Sequence, residues 1–230
     1  MPEIELYSAE VCPYAQRTRL LLSEKAIRFS LVEIDLKAKP LWFKDVSPYA
    51  KVPVLKRGED LVWESAIINE FIEEAYPEPP MMPREPGRRA FARFWIDFSN
   101  VKFTPTWYKL LLAQGRDERT ALAAELLDHF RFIENDAFAH SGAGPYWFGQ
   151  GVSLVDVSFY PWFERIPAMT HYRGVALPAE CRRLAAWAQA MSQRPAVKAC
   201  AQPTAYYIEG YKRYAAGTED GVTAREMRRA

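Results

Sequence analysis

The sequence predicts an α/β unit over residues 1–77, a proline-rich linker over 78–87 and an all-helical unit over 88–230. Three observations predict it. Short period-two apolar runs alternate with helical patterns only in the first segment. Five prolines then crowd the stretch from Pro77 to Pro86, where neither a helix nor a central strand can continue. From Arg88 onward the apolar residues recur at helical spacing, with no convincing strand pattern.

The composition suits this reading. Of the 230 residues, 49% are hydrophobic, enough for a sizeable core. The formal net charge is +1, so no chain-wide field selects nucleic acid or an anionic membrane. The three cysteines, Cys12, Cys181 and Cys200, are odd in number and follow no disulfide framework, which suits a reducing, cytoplasmic setting. Met1-Pro2-Glu3-Ile4-Glu5 carries neither the basic stretch nor the apolar core of a secretory leader. No apolar run approaches the ~18 residues of a membrane span, so no membrane partner is expected.

The first segment reads in order as follows. Ile4-Glu5-Leu6-Tyr7 alternates as a strand, with Tyr7 assigned to the core. Residues 13–25 form a helix with Ala15, Thr18, Leu22 and Ala26 on one side and Leu21 adjacent; Arg17 and Arg19 read as solvated face charges, the alternative being electrostatic help to a thiolate at Cys12. Residues 29–34 form a second strand, and the helix between the two makes a parallel crossover. A short helix over 41–45, turn chemistry over 47–50, a proline-interrupted strand over 51–55 and a hairpin returning through 61–63 follow. Pro53 marks an edge, a bulge or a cis peptide. Ser65 is suited to cap a helix over 66–76. Strand–helix–strand, helix, strand–strand–helix is the thioredoxin-like arrangement.

Val11-Cys12-Pro13-Tyr14-Ala15 carries the chemistry. Proline fits the first helical position, where its missing N–H has no intrahelical partner, so Cys12 is placed at the N-cap. Unpaired N–H groups and the positive end of the helix dipole favour an anion there. That predicts a thiol lowered from ~8.5 into the ~3.5–7.5 range of activated cysteines. A dithiol redox motif has its second cysteine where this chain has Ala15. Cys12 therefore has no local disulfide partner, and a small external thiol is the expected one.

In the second segment, one helical pattern runs over 88–114 with a kink or break at Pro105, and another over 116–140. Residues 142–151 form a loop. Ser153-Leu154-Val155-Asp156 is a capping-box start for a helix to 166, and a further helix spans 178–192. The aromatic stretch from Tyr206 to Tyr211 is expected to fold back near Cys12, and residues past Ala216 to form a polar, frayed tail. Cys181 and Cys200 lack metal spacing, and His129, His140 and His171 are scattered, so no metal site is expected.

Four strings together resemble the omega class of cytosolic glutathione transferases, with kin in the lambda class and in bacterial glutathione-dependent thioltransferases. They are the run from Cys12 to Arg19, the run from Leu36 to Phe43, Val52-Pro53-Val54-Leu55, and Trp63-Glu64-Ser65-Ala66-Ile67. The resemblance implies a thioredoxin-like domain followed by a helical one, with glutathione as cosubstrate. Cys12 would form a mixed disulfide with glutathione, and Val52, before Pro53, would pair its backbone with the cysteinyl portion. Glu64 and Ser65 would hold the γ-glutamyl end, Lys39 the glycine carboxylate, and Tyr14 would wall the site. The second substrate, an electrophile, thioether or disulfide, would lie between the domains, against Trp107, Tyr108, Trp162, Tyr206 and Tyr211. The same resemblance implies a homodimer and treats Ser153 and Asp156 as structural. The function so implied is thiol transfer: deglutathionylation of thioethers or mixed disulfides, or dehydroascorbate reduction. The alternatives are conjugation of glutathione to an electrophile and a non-catalytic binding module of the same architecture.

Overall fold

The computed structural model describes residues 3–140 and 142–229. Met1 and Pro2, part of the stretch expected to carry no secretory leader, and positions 141 and 230 lie outside the described residues.

The first segment folds as β1 (Ile4–Ser8), α1 (Pro13–Glu24), β2 (Ser30–Glu33), α2 (Phe43–Val46), β3 (Val54–Arg57), β4 (Asp60–Trp63) and α3 (Ser65–Ala75). The four strands form one sheet in the order β2-β1-β3-β4. β1 runs parallel to β2, with Leu6 opposite Leu31, and antiparallel to β3, with Leu6 opposite Leu55. Period-two alternation sets this register, since a one-residue slip would turn the apolar face outward. The first fold expectation holds: a mixed four-stranded thioredoxin-like sheet precedes the helices.

α1 departs from the expected amphipathic helix. It is packed on two sides, so Gln16, Arg17 and Thr18 are buried together with Ala15, Leu21 and Leu22. Arg17 is 1% exposed, not a solvated face charge, because the helical segment covers the side of α1 that faces away from the sheet. At the far end of the helix, Lys25 pairs with Glu73 at 2.7 Å and donates to the carbonyls of Tyr76 and Pro79. Glu73 also accepts from the backbone N–H groups of Met81 and Met82, so this buried pair fastens the proline-rich linker.

The helical segment comprises α4 (Pro86–Phe98), α5 (Thr104–Leu112), α6 (Arg116–Phe132), α7 (Leu154–Phe163), α8 (Ile166–Arg173), α9 (Arg182–Ser192), α10 (Pro195–Lys198), α11 (Thr204–Ala215) and α12 (Val222–Met227). The pattern over 88–114 breaks earlier than Pro105, in a π-helical turn over Ser99–Phe103. The Pro105 ring would clash with the carbonyl four residues back, inside that turn, and the wider π turn avoids the clash. α6 likewise ends in a π turn, Ile133–Ala137, and the pattern over 178–192 becomes helical only at Arg182.

α7 is the axis of this segment, with all ten of its residues buried. The capping box that starts it is present: Ser153 and Asp156 cap one another, and Asp156 accepts in addition from the Trp147 N–H and Trp187 Nε1. Burial nonetheless pushes the Asp156 carboxyl up, against the pull of those hydrogen bonds. The expected frayed tail is instead α12, which packs on α5 with Ala224 fully buried. Val222, Ala224 and Met227 supply an apolar side that the polar composition of the tail hides. No helix among the described residues is long and apolar enough to cross a membrane.

Candidate active site

A cleft of about 550 Å³ opens between the start of α1, the start of α3 and the helices α11 and α12. Cys12 lies on it, at the N-cap of α1, with Pro13 at the first helical position. Its side chain caps nothing, and Sγ lies 3.9 Å from the carbonyl oxygen of Val52. The helix-end effect is present: the backbone N–H groups of Tyr14 and Ala15 pull the thiol pKa down, as do Arg19 and Arg165. Burial outweighs them. At 9% exposure the thiol is pushed above its ordinary value, not below it as the N-cap position predicts. The helix end acts as its position predicts, and desolvation, which no local pattern of residues shows, outweighs it.

The glutathione-site residues expected from the sequence converge here. Lys39, Val52, Pro53, Glu64, Ser65 and Tyr14 all line the cleft with Cys12. Val52 lies just before β3, outside the β1–β3 pairing, and the Val52–Pro53 peptide bond is cis. Lys39 donates to the carbonyl of Ala50 at 2.8 Å; burial lowers its ammonium pKa, as does the nearby Arg225. Ser65 is the first helical residue of α3, not its cap; the cap position belongs to Glu64. Glu64 has φ +66 and ψ 121, a backbone conformation that costs a side chain of order 1–3 kcal/mol and that clusters at functional sites.

Of the five aromatic wall residues, Tyr108, Tyr206 and Tyr211 line the cleft. Trp107 and Trp162 do not: both are fully buried in the core. Trp107 is one helical step round from Tyr108 and faces Phe103, and Trp162 belongs to the enclosed α7. Trp162 acts on the site from behind, edge-on to Tyr14 at 5.2 Å between ring centroids. Tyr14 also stacks on Tyr108, and burial raises the Tyr14 phenol. Tyr206 stands where α11 approaches the sheet end, its hydroxyl donating to Glu10 at 3.1 Å.

Several residues of the cleft escaped the sequence. Tyr214 stands three positions after Tyr211 and seven after Tyr207 on α11; those two belong to the stretch expected near Cys12, and the helical stripe they begin could have exposed Tyr214. Arg165 also reaches the cleft, its Nη1 donating to Gln16 Oε1 at 2.6 Å and its guanidinium lying over Tyr207 at 4.5 Å. Glu226 of α12 pairs with Lys51 at 2.8 Å across the mouth. No local pattern announces either contact. Cys181 and Cys200 are free thiols away from the cleft lining, and among the described residues no group of three or more His, Cys, Asp or Glu side chains could hold a metal ion.

This geometry has counterparts. Residues 6–80 match the family model described as glutathione S-transferase, N-terminal domain, and residues 114–190 the one described as glutathione S-transferase, C-terminal domain. Glutathione S-transferase omega-1 of Sus scrofa is 33% identical over 197 residues, 85% of this chain and 79% of that protein. The structure of glutathione transferase Omega 3C from Trametes versicolor superposes with a TM-score of 0.83 at 30% identity, covering 93% of this chain and 91% of the other. A Tau class glutathione S-transferase from mango, Mangifera indica, gives 0.86 at 28% identity, with 93% and 99% covered. A thioredoxin-like sheet, a helical second segment and a cleft between them that holds Cys12 thus coincide with relatives spanning most of the chain, and the chain belongs to the glutathione S-transferase family, with omega-class proteins among its relatives.

Proposed function

We propose that this protein is a glutathione-dependent thioltransferase in which Cys12 takes up the glutathionyl group as a mixed disulfide. One observation carries the reading: the Cys12 sulfur shares its cleft with Lys39, Val52, Glu64 and Ser65, a set suited to a peptide with a carboxylate at each end and an ammonium at one. Val52 offers its backbone to an extended ligand as an added strand would. Glu64 suits the ammonium. Ser65, with the unpaired N–H groups of α3, suits the neighbouring carboxylate, and Lys39 the other.

The Cys12 thiolate attacks the sulfur of a glutathione thioether or mixed disulfide. A sulfur–sulfur bond forms, and the bond to the leaving group breaks; that group departs with the electron pair and takes up a proton. A second glutathione thiolate then attacks the bound glutathionyl sulfur, releasing oxidised glutathione and restoring the Cys12 thiolate. Exchange runs through the thiolate. The α1 N–H groups, Arg19 and Arg165 favour that form, and burial opposes it.

Intact-mass analysis after incubation with oxidised glutathione tests the reading. One added glutathionyl group on Cys12 is expected, with adduct and thiol transfer both absent in Cys12→Ser. An adduct that persists in the variant overturns the proposal. Conjugation to an electrophile is the second reading, kept by the likeness to a Tau class glutathione S-transferase; good electrophile turnover by the wild type with poor disulfide exchange would select it. The proposal includes a cytoplasmic homodimer, for which exposed Ile67 of α3 and Phe94 of α4, flanking the Arg93–Glu70 ion pair, offer an apolar face. Sedimentation at micromolar concentration reads the assembly state.

A further inference from the structure

Arg17 has no part in the chemistry above, yet it is among the largest fully buried side chains of the protein. Its Nε donates to the carbonyl of Ser158 in α7 at 2.8 Å. Its Nη1 donates to Asn100 Oδ1 at 2.6 Å and, at 3.4 Å, to the hydroxyl oxygen of Ser65. Its Nη2 donates to the Ser99 hydroxyl at 2.9 Å. The guanidinium lies over the ring of Trp162 at 4.4 Å and near that of Tyr14 at 5.3 Å. None of these acceptors is a carboxylate. Burial without a countercharge brings the Arg17 pKa down to about 10. A buried cation served only by neutral groups is costly, and such groups mark sites where a charge is needed.

The surroundings say what it faces. Ser65 is the first residue of α3, where backbone N–H groups lack intrahelical partners, and it lies on the cleft. Because its oxygen accepts from Arg17, its own proton is left to point elsewhere. Ser99 and Asn100 come from the π turn between α4 and α5, and from there both side chains reach Arg17 of α1. Three separate segments of chain thus converge on one guanidinium of α1.

We propose that Arg17 is a positioning residue: it fixes the Ser65 hydroxyl as a donor toward the cleft and sets a positive charge beneath the carboxylate that docks at the first turn of α3. The inference rests on the proposed glutathione reading, in which that carboxylate is the one on the γ-glutamyl residue.

Binding calorimetry with two non-reacting probes tests it. One is S-methylglutathione; the other is the same molecule with 4-aminobutanoyl in place of γ-glutamyl, which removes only that carboxylate. Arg17→Gln is expected to weaken S-methylglutathione about tenfold or more while leaving the truncated probe within about twofold, as loss of a hydrogen bond to a charged group predicts. Arg17→Lys, which keeps the charge and loses the fork, falls between. Arg17→Gln combined with Ser65→Ala costs less than the two single losses together. Equal loss of both probes in Arg17→Gln or Arg17→Lys, or no loss, overturns the proposal, since a merely structural role does not distinguish the probes. Should Arg17→Gln not fold, Arg17→Lys alone decides. A wild type that binds both probes alike also overturns it and leaves the Cys12 chemistry standing. Selective binding without any Cys12 adduct overturns the thioltransferase reading and leaves the role of Arg17 intact.

Discussion

Replacing Asp156 with alanine tests whether one buried carboxylate holds the helical segment in register. Its oxygens accept from the Ser153 N–H at 2.7 Å, the Ser153 hydroxyl at 2.5 Å, the Trp147 N–H at 3.0 Å and Trp187 Nε1 at 2.6 Å. Alanine orphans these donors in a fully buried place, and each buried unsatisfied group costs about 1–3 kcal/mol. At the lower bound the four cost about 4 kcal/mol. Relief of carboxylate desolvation, visible in the raised pKa of Asp156, offsets part of a larger sum, so the expected net loss is about 3–5 kcal/mol. For a chain of this length each kcal/mol moves Tm by about 2–4 °C, so Asp156→Ala should melt about 10 °C lower. Urea denaturation with an unchanged m value reads the same loss as a shift in midpoint. Asp156→Asn, which keeps one acceptor, should lose less. A loss below about 1 kcal/mol in Asp156→Ala would refute the idea that the capping box carries α7, since the sum of the four bonds could not then be real.

Two further outcomes follow from the cleft. The Cys12 thiol is held above its ordinary value by burial, so it contributes stability below its unfolded pKa and loses that contribution as pH rises through the folded one. Wild type should therefore lose stability relative to Cys12→Ala above about pH 8.5, and iodoacetamide alkylation of Cys12 should have its midpoint above that value; a midpoint at or below it would refute the dominance of burial. Glu64→Gly should stabilise the fold by up to about 1 kcal/mol, because glycine adopts φ +66 without strain, while weakening glutathione binding through loss of the carboxylate; a destabilised variant in urea denaturation would remove strain from the account of Glu64.

Local patterns were legible wherever the physics is local. Alternation marked β1, Pro13 marked the start of α1, and Ser153 with Asp156 marked the start of α7. Cys12 was brought forward by its N-cap position, Lys39, Val52, Pro53, Glu64, Ser65 and Tyr14 by the resemblance to omega-class glutathione transferases, and all seven line one cleft. What escaped depends on a second packing partner. Arg17 looks solvated until α7 and the π turn close over α1. Trp107 and Tyr108 differ by one helical step, and only the packing of α5 against α6, α8 and α11 decides which of them is core. The polar tail hides three apolar residues among charges, too few to raise a periodic signal. The thiol pKa shows the same division: the helix dipole is written in the sequence, and the desolvation that outweighs it is not.

The two buried groups of opposite character at this site bear on one another. Burial raises the Cys12 thiol and lowers the Arg17 guanidinium, so in each case the uncharged form gains. Interaction with the Cys12 charge raises the Arg17 pKa, and both groups adjoin Tyr14. On the proposed mechanism a bound glutathione brings a carboxylate to the Ser65 end and its sulfur to the Cys12 end. The carboxylate supplies the countercharge that Arg17 lacks, whereas the mixed disulfide removes the charge that Cys12 has difficulty keeping. The first relieves a desolvation cost built into the empty cleft, the second a cost that arises when the thiolate forms, so binding and chemistry favour the same direction. The leaving of oxidised glutathione restores both costs, and product release is then the step that Arg17→Gln should accelerate, in a burst-phase experiment that separates chemistry from release.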